Sequence, residues 1–271
     1  AILHMTDETI PLNSGCLRPI RVIAPAGTVM NVDYPGSSVG GNTESHPLIV
    51  CAIFGAMVDC VPDRVMASEG TTHGCFVFGG HDPLNDEPYG GFDFSYVGYG
   101  GRLFADGNDA TDSINGNCAN TPMEVFETRF PWIVEEYALR PNSGGPGKFR
   151  GGLSNVKQML CTGEMLVSQM TNKHKLSAWG LEDGQEGALG ATLYNKSGTE
   201  KWETTVEGYG KVSPSKYSNI PMTPGDRVRV LAPGGGGYGS PLERSRASVE
   251  EDVREGYVTE DRAKELYGLK A

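Results

Sequence analysis

The chain has 271 residues, enough to bury a sizeable core and to form one or two domains. Its formal net charge is −11 and its lysines and arginines do not cluster, so its field would repel nucleic-acid phosphate and anionic membranes. Six widely spaced cysteines without a C-x-x-C pair, no long apolar run and no signal-like start at residues 1–9 predict a cytoplasmic protein with reduced thiols and no membrane partner.

The chain begins with β-branched runs and a glycine-rich turn. Residues 20–23 and 28–32 predict a strand, a tight turn at Pro25 and Gly27, and a second strand. Residues 36–40 match G-x-S-x-G, in which a strained strand-to-helix turn exposes a nucleophilic serine, here Ser38. Pro35 interrupts the strand that should lead into this turn, so a flexible or substrate-facing glycine turn is the favoured interpretation.

A helix is predicted over residues 47–60, where apolar side chains occupy every face. Pro47 suits a first helical turn, and Ser45 is the candidate cap. We therefore expect a buried helix. His46 lies at its start as either a hydrogen-bonded capping residue or a catalytic one, and the first is favoured.

Strands are predicted at residues 74–80 and 91–99, followed by a long exposed loop over residues 100–117 that is rich in Gly, Asp and Asn. His73, His81 and Asp82 suggest a metal site, but the two histidines lie at opposite ends of one strand. We interpret them as loop residues and predict no metal site in the chain.

Residues 140–152 are the most glycine-dense part of the centre and follow a predicted strand at residues 130–139. Lys148 and Arg150 suggest a phosphate site, but the P-loop spacing fails, because Asn142 stands at the first glycine and Phe149 at the Ser/Thr. A structural connector is favoured. A hairpin is then predicted from strands at residues 153–161 and 165–170.

The last third predicts strands at residues 188–194, 201–206 and 226–231. Residues 234–239 satisfy G-x-G-x-x-G, but Pro241 follows and no βαβ unit can form, so a dinucleotide site is not favoured. Ser248 opens a capping box for a short helix that ends near Gly256, and Thr259 caps another that Gly268 terminates.

These patterns predict an α+β fold, predominantly antiparallel β, with one buried helix and two short C-terminal helices. No linker divides the chain. We place the boundary at residue 140. Residues 1–140 are predicted to be part of a larger mixed α/β domain that contains the buried helix. Residues 141–271 are predicted to be a β-rich domain that ends in two short helices.

Several glycine-, asparagine- and proline-rich segments together resemble the hydantoinase B/oxoprolinase family, which includes subunits of N-methylhydantoinase, 5-oxoprolinase and the ketone carboxylases. The resemblance covers nearly the whole chain, in the family's order. The segments that carry it are residues 13–20, 24–28, 40–42, 120–124, 143–152, 179–181 and 233–239.

The resemblance implies a B-type subunit that works with a hydantoinase A-type subunit, in which ATP phosphorylates a carbonyl or amide oxygen. The chain would bind no cofactor itself, with ATP and Mg in the partner subunit. A divalent metal would lie in an N-terminal half of the B-type subunit, which we expect on a separate chain. The present chain is expected to be the C-terminal half, by cleavage, a split gene or design.

Six residues are candidates for substrate or interface contact. They are Asn42, His46, Asn120, Glu124, Arg150 and His174. For three of them a purely structural role remains open. Asn120 could cap a turn, Glu124 could form an ion pair and His174 could belong to a solvated charge cluster. At the level of the chain, the alternatives are a non-catalytic assembly element of the same complex and an independent serine hydrolase based on Ser38.

Overall fold

Two antiparallel sheets packed face to face form the centre of the molecule, in a computed structural model that describes residues 7, 9–11, 13–82 and 84–269. One sheet has four strands in the order β2-β1-β5-β8, and the other has five in the order β3-β4-β9-β6-β7. The strands are β1 (Cys75–His81), β2 (Pro88–Asp93), β3 (Trp132–Leu139), β4 (Asn155–Cys161), β5 (Met165–Met170), β6 (Ala191–Asn195), β7 (Trp202–Glu203), β8 (Lys216–Met222) and β9 (Arg227–Leu231).

The core between the sheets is made by alternate, inward-facing residues of both layers, as the period of two in a strand requires. Trp132 lies at its centre and is 1% exposed, with the rings of Phe76 and Phe78 about 6 Å away. The other buried members are Phe126, Met159, Cys161, Met165, Val167, Tyr194, Ile220, Met222, Val228 and Val230. The predicted predominance of antiparallel β structure is confirmed.

The hairpin predicted from residues 153–161 and 165–170 is wrong, although both strands exist. β4 pairs with β3 and β9, whereas β5 pairs with β1 and β8 in the opposite sheet. The three residues between them carry the chain from one layer to the other. Met159 and Val167 can then both point into the core from opposite sides, which a flat hairpin would not allow.

Both sheets combine strands from the two predicted segments 1–140 and 141–271. β1 pairs with β5 in one sheet, and β3 pairs with β4 in the other. The side chains of these four strands share one hydrophobic core.

The N-terminal strands predicted at residues 20–23 and 28–32 are wrong. Only a single bridge joins Thr28 and Asn31, and nearly all described side chains before Gly40 are exposed. Val22, Val29 and Tyr34 are 82%, 87% and 99% exposed. β-branched residues form a strand only where another strand and a buried face receive them, and neither is present here.

The first helix, α1 (His46–Met57), is confirmed, but it is buried on one face only. Val50, Cys51 and Phe54 are buried, while Leu48 and Ile49 are each 39% exposed. The Ser45 cap is wrong, because one π-helical turn, Gly41–Ser45, precedes α1 and the Ser45 side chain makes no capping hydrogen bond.

Three elements were not expected: β8, the helix α2 (Met123–Arg129) and the helix α3 (Thr205–Tyr209). The strand predicted at residues 201–206 is only partly present as β7. A capping box between Thr204 and Glu207 starts α3 directly after it.

A second core is built mainly of backbone. Five extended segments, residues 67–70, 98–101, 144–152, 178–187 and 233–239, bond to one another through their backbones, and we call them the glycine bundle. The central segment 233–239 reaches all four others. Its contacts are Gly236 N to Ser68 O at 2.8 Å, Gly101 N to Gly236 O at 2.8 Å, Gly235 N to Gly152 O at 3.1 Å and Gly237 N to Gln185 O at 2.9 Å.

Glycine is required in the bundle because the segments approach more closely than a Cβ allows. A Cβ on Gly235 would lie 2.0 Å from the Tyr99 carbonyl oxygen, and one on Gly152 would lie 2.0 Å from the Asn108 oxygen. The turn residues 140–152 and the G-x-G-x-x-G segment 234–239 are therefore two parts of one packing unit.

The loop predicted to be exposed over residues 100–117 is largely packed against this bundle. Gly101, Gly107 and Ser113 are buried, and Gly107 N donates to Arg150 O at 2.8 Å. The exposed residues are Leu103, Phe104, Asn108, Asn115 and Asn117, with Phe104 at 72%.

The two short C-terminal helices are confirmed as α4 (Arg246–Arg254) and α5 (Glu260–Tyr267). α4 starts earlier than predicted, because Ser245 rather than Ser248 is the cap and accepts from Ser248 N. Gly268 ends α5 with φ +66°, as expected. Among the helices that the structure describes, none has the length and apolar character needed to cross a membrane.

Candidate functional site

Four ionisable side chains lie buried where the glycine bundle meets the approach to α1, and we call them the carboxylate cluster: Glu44, Glu69, His73 and Asp112. All but Asp112 are at most 3% exposed. The residues are linked through neighbours, since Thr72 binds Glu44 and precedes His73, and Ser113 binds Glu69 and follows Asp112. Buried carboxylates are rare unless they are paired or functional.

Glu44 lies in the π-helical turn before α1. One carboxylate oxygen, Oε2, accepts from Thr72 Oγ1 at 2.6 Å, while Oε1 is buried without a hydrogen-bond partner among the described residues. Removal from water raises the pKa of Glu44 to about 8, because desolvation penalises the charged form. The group is therefore mainly protonated at neutral pH.

Glu69 lies on the bundle segment 67–70, whose backbone is fixed by hydrogen bonds from Ser68 N to Trp179 O and from Gly70 N to Gly98 O. Its Oε1 accepts from Ser113 Oγ at 2.6 Å, and both oxygens lie 3.1 Å from Ile114 N. Burial raises the pKa of Glu69 to about 7, with a smaller contribution from the nearby Asp112 charge.

His73 and Asp112 form a buried pair, with 2.6 Å between His73 Nδ1 and Asp112 Oδ1. The second carboxylate oxygen of Asp112 accepts from Cys118 N at 2.8 Å. Gly116 packs so closely that a Cβ there would lie 2.4 Å from the imidazole. The carboxylate thus fixes the orientation of the ring.

The backbone around the cluster is strained. Thr71 and Lys173, neither of them glycine, have φ values of 45° and 60°. Asn172 stabilises this geometry, because its Nδ2 donates to Glu44 O at 2.8 Å and to Thr71 O at 3.2 Å. Burial also lowers the pKa of Lys173, which lies in the electrostatic field of Cys51 and Glu69.

The arrangement is suited to proton transfer. A carboxyl group is an efficient general acid or base when its pKa lies near the working pH, and burial achieves that for Glu69. His73 and Asp112 form a hydrogen-bonded pair beside it, and the Asp112 charge acts on Glu69. Among the described residues, no group of three or more His, Cys, Asp or Glu side chains is placed to hold a metal ion.

Three of the predicted site residues lie in the segments that frame the cluster. Asn42 and His46 are exposed on either side of Glu44, and His174 is half-buried directly after Lys173. Burial lowers the pKa of His174 to about 4, so at neutral pH its ring offers hydrogen bonds rather than a positive charge.

Arg150 lies apart from these residues, inside a network of protein charges. Its Nη1 is 2.9 Å from Asp109 Oδ1, and its Nε is 3.5 Å from Asp252 Oδ1 on α4. Arg244 bonds the same Asp252 and also Asp106, so the network joins α4 to the loop over residues 100–117. Arg150 therefore holds these elements together, and its positive charge is already neutralised by protein carboxylates.

Asn120 and Glu124 lie at the start of α2 and are both exposed. Asn120 Nδ2 donates to the Tyr137 hydroxyl at 3.2 Å rather than capping the helix. The Tyr137 ring in turn lies 4.8 Å from Lys157 Nζ, which pairs with Asp93 inside the sandwich. The burial that would make Glu124 a proton-transfer group is not present.

The alternative nucleophile Ser38 lies in an exposed segment with no strand before it, and α1 begins only at His46, so the nucleophile elbow is not formed. His73 lies two residues before β1 and His81 is its last residue, so the two are far apart as the sequence indicated, and His73 pairs with Asp112 rather than with Asp82.

Sequence reasoning missed Glu44, Glu69 and the partner of His73. One signal was available: residues 67–74 form a run of small and polar residues, with a single carboxylate, between a helix and a strand. All eight are buried. A short polar run leading into a buried strand was therefore more informative than the glycine motifs around it.

Comparison with known proteins identifies relatives of this fold. The family model for hydantoinase B/oxoprolinase matches residues 1–241. The caprolactamase subunit beta of Pseudomonas jessenii is 32% identical over 272 residues, covering 96% of this chain and 45% of the relative.

Solved structures agree. The crystal structure of ATP-dependent caprolactamase from Pseudomonas jessenii superposes with a TM-score of 0.83 at 25% identity, over 100% of this chain and 47% of that one. An acetone carboxylase structure shares the fold, with a TM-score of 0.63 at 23% identity over 77% of this chain and 31% of its own. The chain thus spans less than half the length of these relatives.

Proposed function

This chain belongs to the hydantoinase B/oxoprolinase family, and from that premise we propose that it is the C-terminal portion of a B-type subunit in an ATP-dependent amidohydrolase. Its partners would be a hydantoinase A-type subunit that uses ATP and a chain with the N-terminal half of the B-type subunit. The divalent metal would lie in that half, and ATP and Mg in the A-type subunit. The assembly would be cytoplasmic.

The observation that supports a chemical role is Glu69, a buried carboxyl whose pKa burial raises to about 7. Phosphorylation of an amide oxygen gives a good leaving group, and opening the activated ring still requires protons to be moved to and from the reacting atoms. We assign that proton transfer to Glu69, with Asp112 acting on it and orienting His73.

The test is ATP-dependent ring opening by the assembly purified with its partner chains. Glu69→Gln keeps the size of the side chain and its acceptor oxygen for Ser113 but cannot ionise. We expect kcat to fall by about 10²–10⁴-fold, and the limb of the pH profile near pH 7 to disappear. Glu200→Gln, on an exposed loop, is the matched control and should leave both unchanged.

Full activity of a folded Glu69→Gln assembly would contradict the proton-transfer role. It would support the alternative that the chain is a non-catalytic element that holds the ATP-using subunit against a separate catalytic half. Native mass spectrometry of the same sample checks the partner assignment, because the assembly should contain both an ATP-using chain and the rest of the B-type subunit.

A further inference from the structure

The segment that leads into the π-helical turn before α1 is exposed along its length, and we call residues 13–39 the arm. Every residue of the arm except Cys16 is exposed. Nine of its side chains are large and apolar, among them Val29, Tyr34 and Val39 at 77–99% exposure. Single exposed apolar residues are normal on a protein surface, but such a series in one short segment marks an interaction site.

Hydrogen bonds among the described residues do not tie the arm to the body of the molecule. Each one joins residues at most seven positions apart, as in the bond from Asn31 Nδ2 to Ala24 O at 2.9 Å. The arm contains two positive charges, Arg18 and Arg21, and one negative charge, Asp33, in a chain whose net charge is −11. A partner of the arm would therefore be selected by apolar surface rather than by charge.

The arm is continuous with the outer face of the four-stranded sheet. Met170 of β5 lies where the arm ends, since a Cβ on Gly40 would be 2.6 Å from the Met170 sulfur. Leu166 is on the same face of β5, and Val77 and Phe92, paired across β1 and β2, extend that face. These three side chains are 51%, 43% and 63% exposed. The arm and this sheet face form one apolar surface, which we call the docking face.

The outer face of the five-stranded sheet has a different character. There the Glu135 carboxylate accepts from Gln158 Nε2 at 2.6 Å and from Arg227 Nε at 3.0 Å. Polar groups that bond to one another suit a face in contact with water, whereas exposed apolar side chains are stabilised by removal from water. The contrast indicates that the four-stranded sheet is the one that receives a further layer.

The comparison with caprolactamase indicates where that layer comes from. The alignment with its crystal structure covers 100% of this chain, so it includes the arm, but it covers only 47% of that chain. More than half of the relative therefore lies outside the shared region. An arm that is aligned with the relative, but is not tied down within the shared region, points to support from the part outside it.

We infer that the remaining part of the B-type subunit covers the docking face. This inference rests on the proposed function for the identity of the partner, and it adds the surface and its place in the molecule. Directly after the arm, the turn Gly41–Ser45 carries Glu44 of the carboxylate cluster. The partner would therefore lie beside that cluster.

Photo-crosslinking in the assembly purified with its partner chains tests the occupant. Benzoylphenylalanine is placed at Tyr34, which is 99% exposed, and mass spectrometry identifies the crosslinked peptide. We expect peptides from the part of the B-type subunit outside this sequence. The same group at Val212, another fully exposed position, is the control and should not give these peptides. Crosslinks from position 34 to the ATP-using subunit or to a second copy of this chain, or no crosslink at all, would overturn the inference.

Val29→Asp tests the apolar character of the docking face. Val29 is 87% exposed, so the chain should keep its urea midpoint. In the assembly, the dissociation constant for the rest of the B-type subunit should rise about a hundredfold or more, because the new carboxylate would be buried without a partner. Val212→Asp is the matched control and should change neither quantity. An unchanged dissociation constant for Val29→Asp, measured by native mass spectrometry on dilution, would contradict the inference.

The inference and the proposed function fail in different ways. If position 34 crosslinks as expected but the assembly opens no cyclic amide with ATP, the docking assignment stands and the proposed function is wrong. If the assembly is active with ATP and Val29→Asp leaves its composition and activity unchanged, the docking assignment is wrong and the proposed function stands.

Discussion

The β-sandwich and the glycine bundle bury their backbones by opposite means. In the sandwich, strands pair side by side and large side chains such as Trp132 and Phe78 fill the space between the layers. In the bundle, segments approach until carbonyl oxygens occupy the space where side chains would be, and hydrogen bonds run to several neighbours at once. One core depends on the volume of its side chains and the other on their absence.

This difference predicts that the bundle tolerates substitutions less well than the sandwich does. Gly235→Ala places a methyl group 2.0 Å from Tyr99 O and 2.4 Å from Tyr99 C, both rigid backbone atoms. We expect a loss above about 5 kcal/mol, enough to unfold the chain. Gly90→Ala, where a Cβ meets nothing within 4 Å, should change stability by less than about 1 kcal/mol. Urea denaturation compares the two, and a folded Gly235→Ala variant would show that the bundle can expand.

The sandwich should respond as an ordinary side-chain core. Trp132→Ala removes the largest fully buried side chain and should cost about 3–5 kcal/mol, through lost burial and the cavity that remains. Val212→Ala, at a fully exposed position, is the control and should cost close to nothing. If Trp132→Ala proved more damaging than Gly235→Ala, the contrast between the two cores would be reversed.

The carboxylate cluster borders both the bundle and α1, and its effect on stability depends on pH. The pKa of Glu44 is raised from 4.5 to about 8, so the folded chain binds more protons than the unfolded chain between these values. The stability that protonated Glu44 contributes to the folded chain is complete below about pH 4.5 and is lost as the pH rises through 8. In the original chain, the resulting fall in the free energy of unfolding is on the order of a few kcal/mol. Glu44→Gln should make this fall smaller, because glutamine does not ionise.

Urea denaturation at pH 5, 7 and 9 measures that slope. Glu200→Gln should follow the original chain at all three values, since Glu200 is exposed. If the free energies of unfolding of Glu44→Gln and the original chain changed equally with pH, Glu44 would be hydrated in solution. Water would then reach the carboxylate cluster.

Several predictions from sequence were correct because their signals are local. The strands predicted at residues 74–80, 165–170 and 226–231 are present as β1, β5 and β9, and Gly268 ended a helix in the left-handed region that glycine adopts easily. The family resemblance was also visible in the sequence, because its glycine segments are conspicuous in order and spacing. The N-terminal strands failed, since residues 20–32 have the composition of a strand but no neighbour to pair with.

The sequence by itself therefore determined the family, the antiparallel character of the sheets and the places where side chains are excluded, since all of these depend on residue type and spacing. Only the tertiary structure decided that β4 and β5 belong to different sheets, that the glycine segments meet in one bundle, and that Glu44, Glu69 and the His73–Asp112 pair lie together. The physical reason is that burial and close approach join residues that are 28 and 100 positions apart, as in the contacts of Thr72 with Glu44 and with Asn172. A raised carboxyl pKa is a property of that environment and not of the residue.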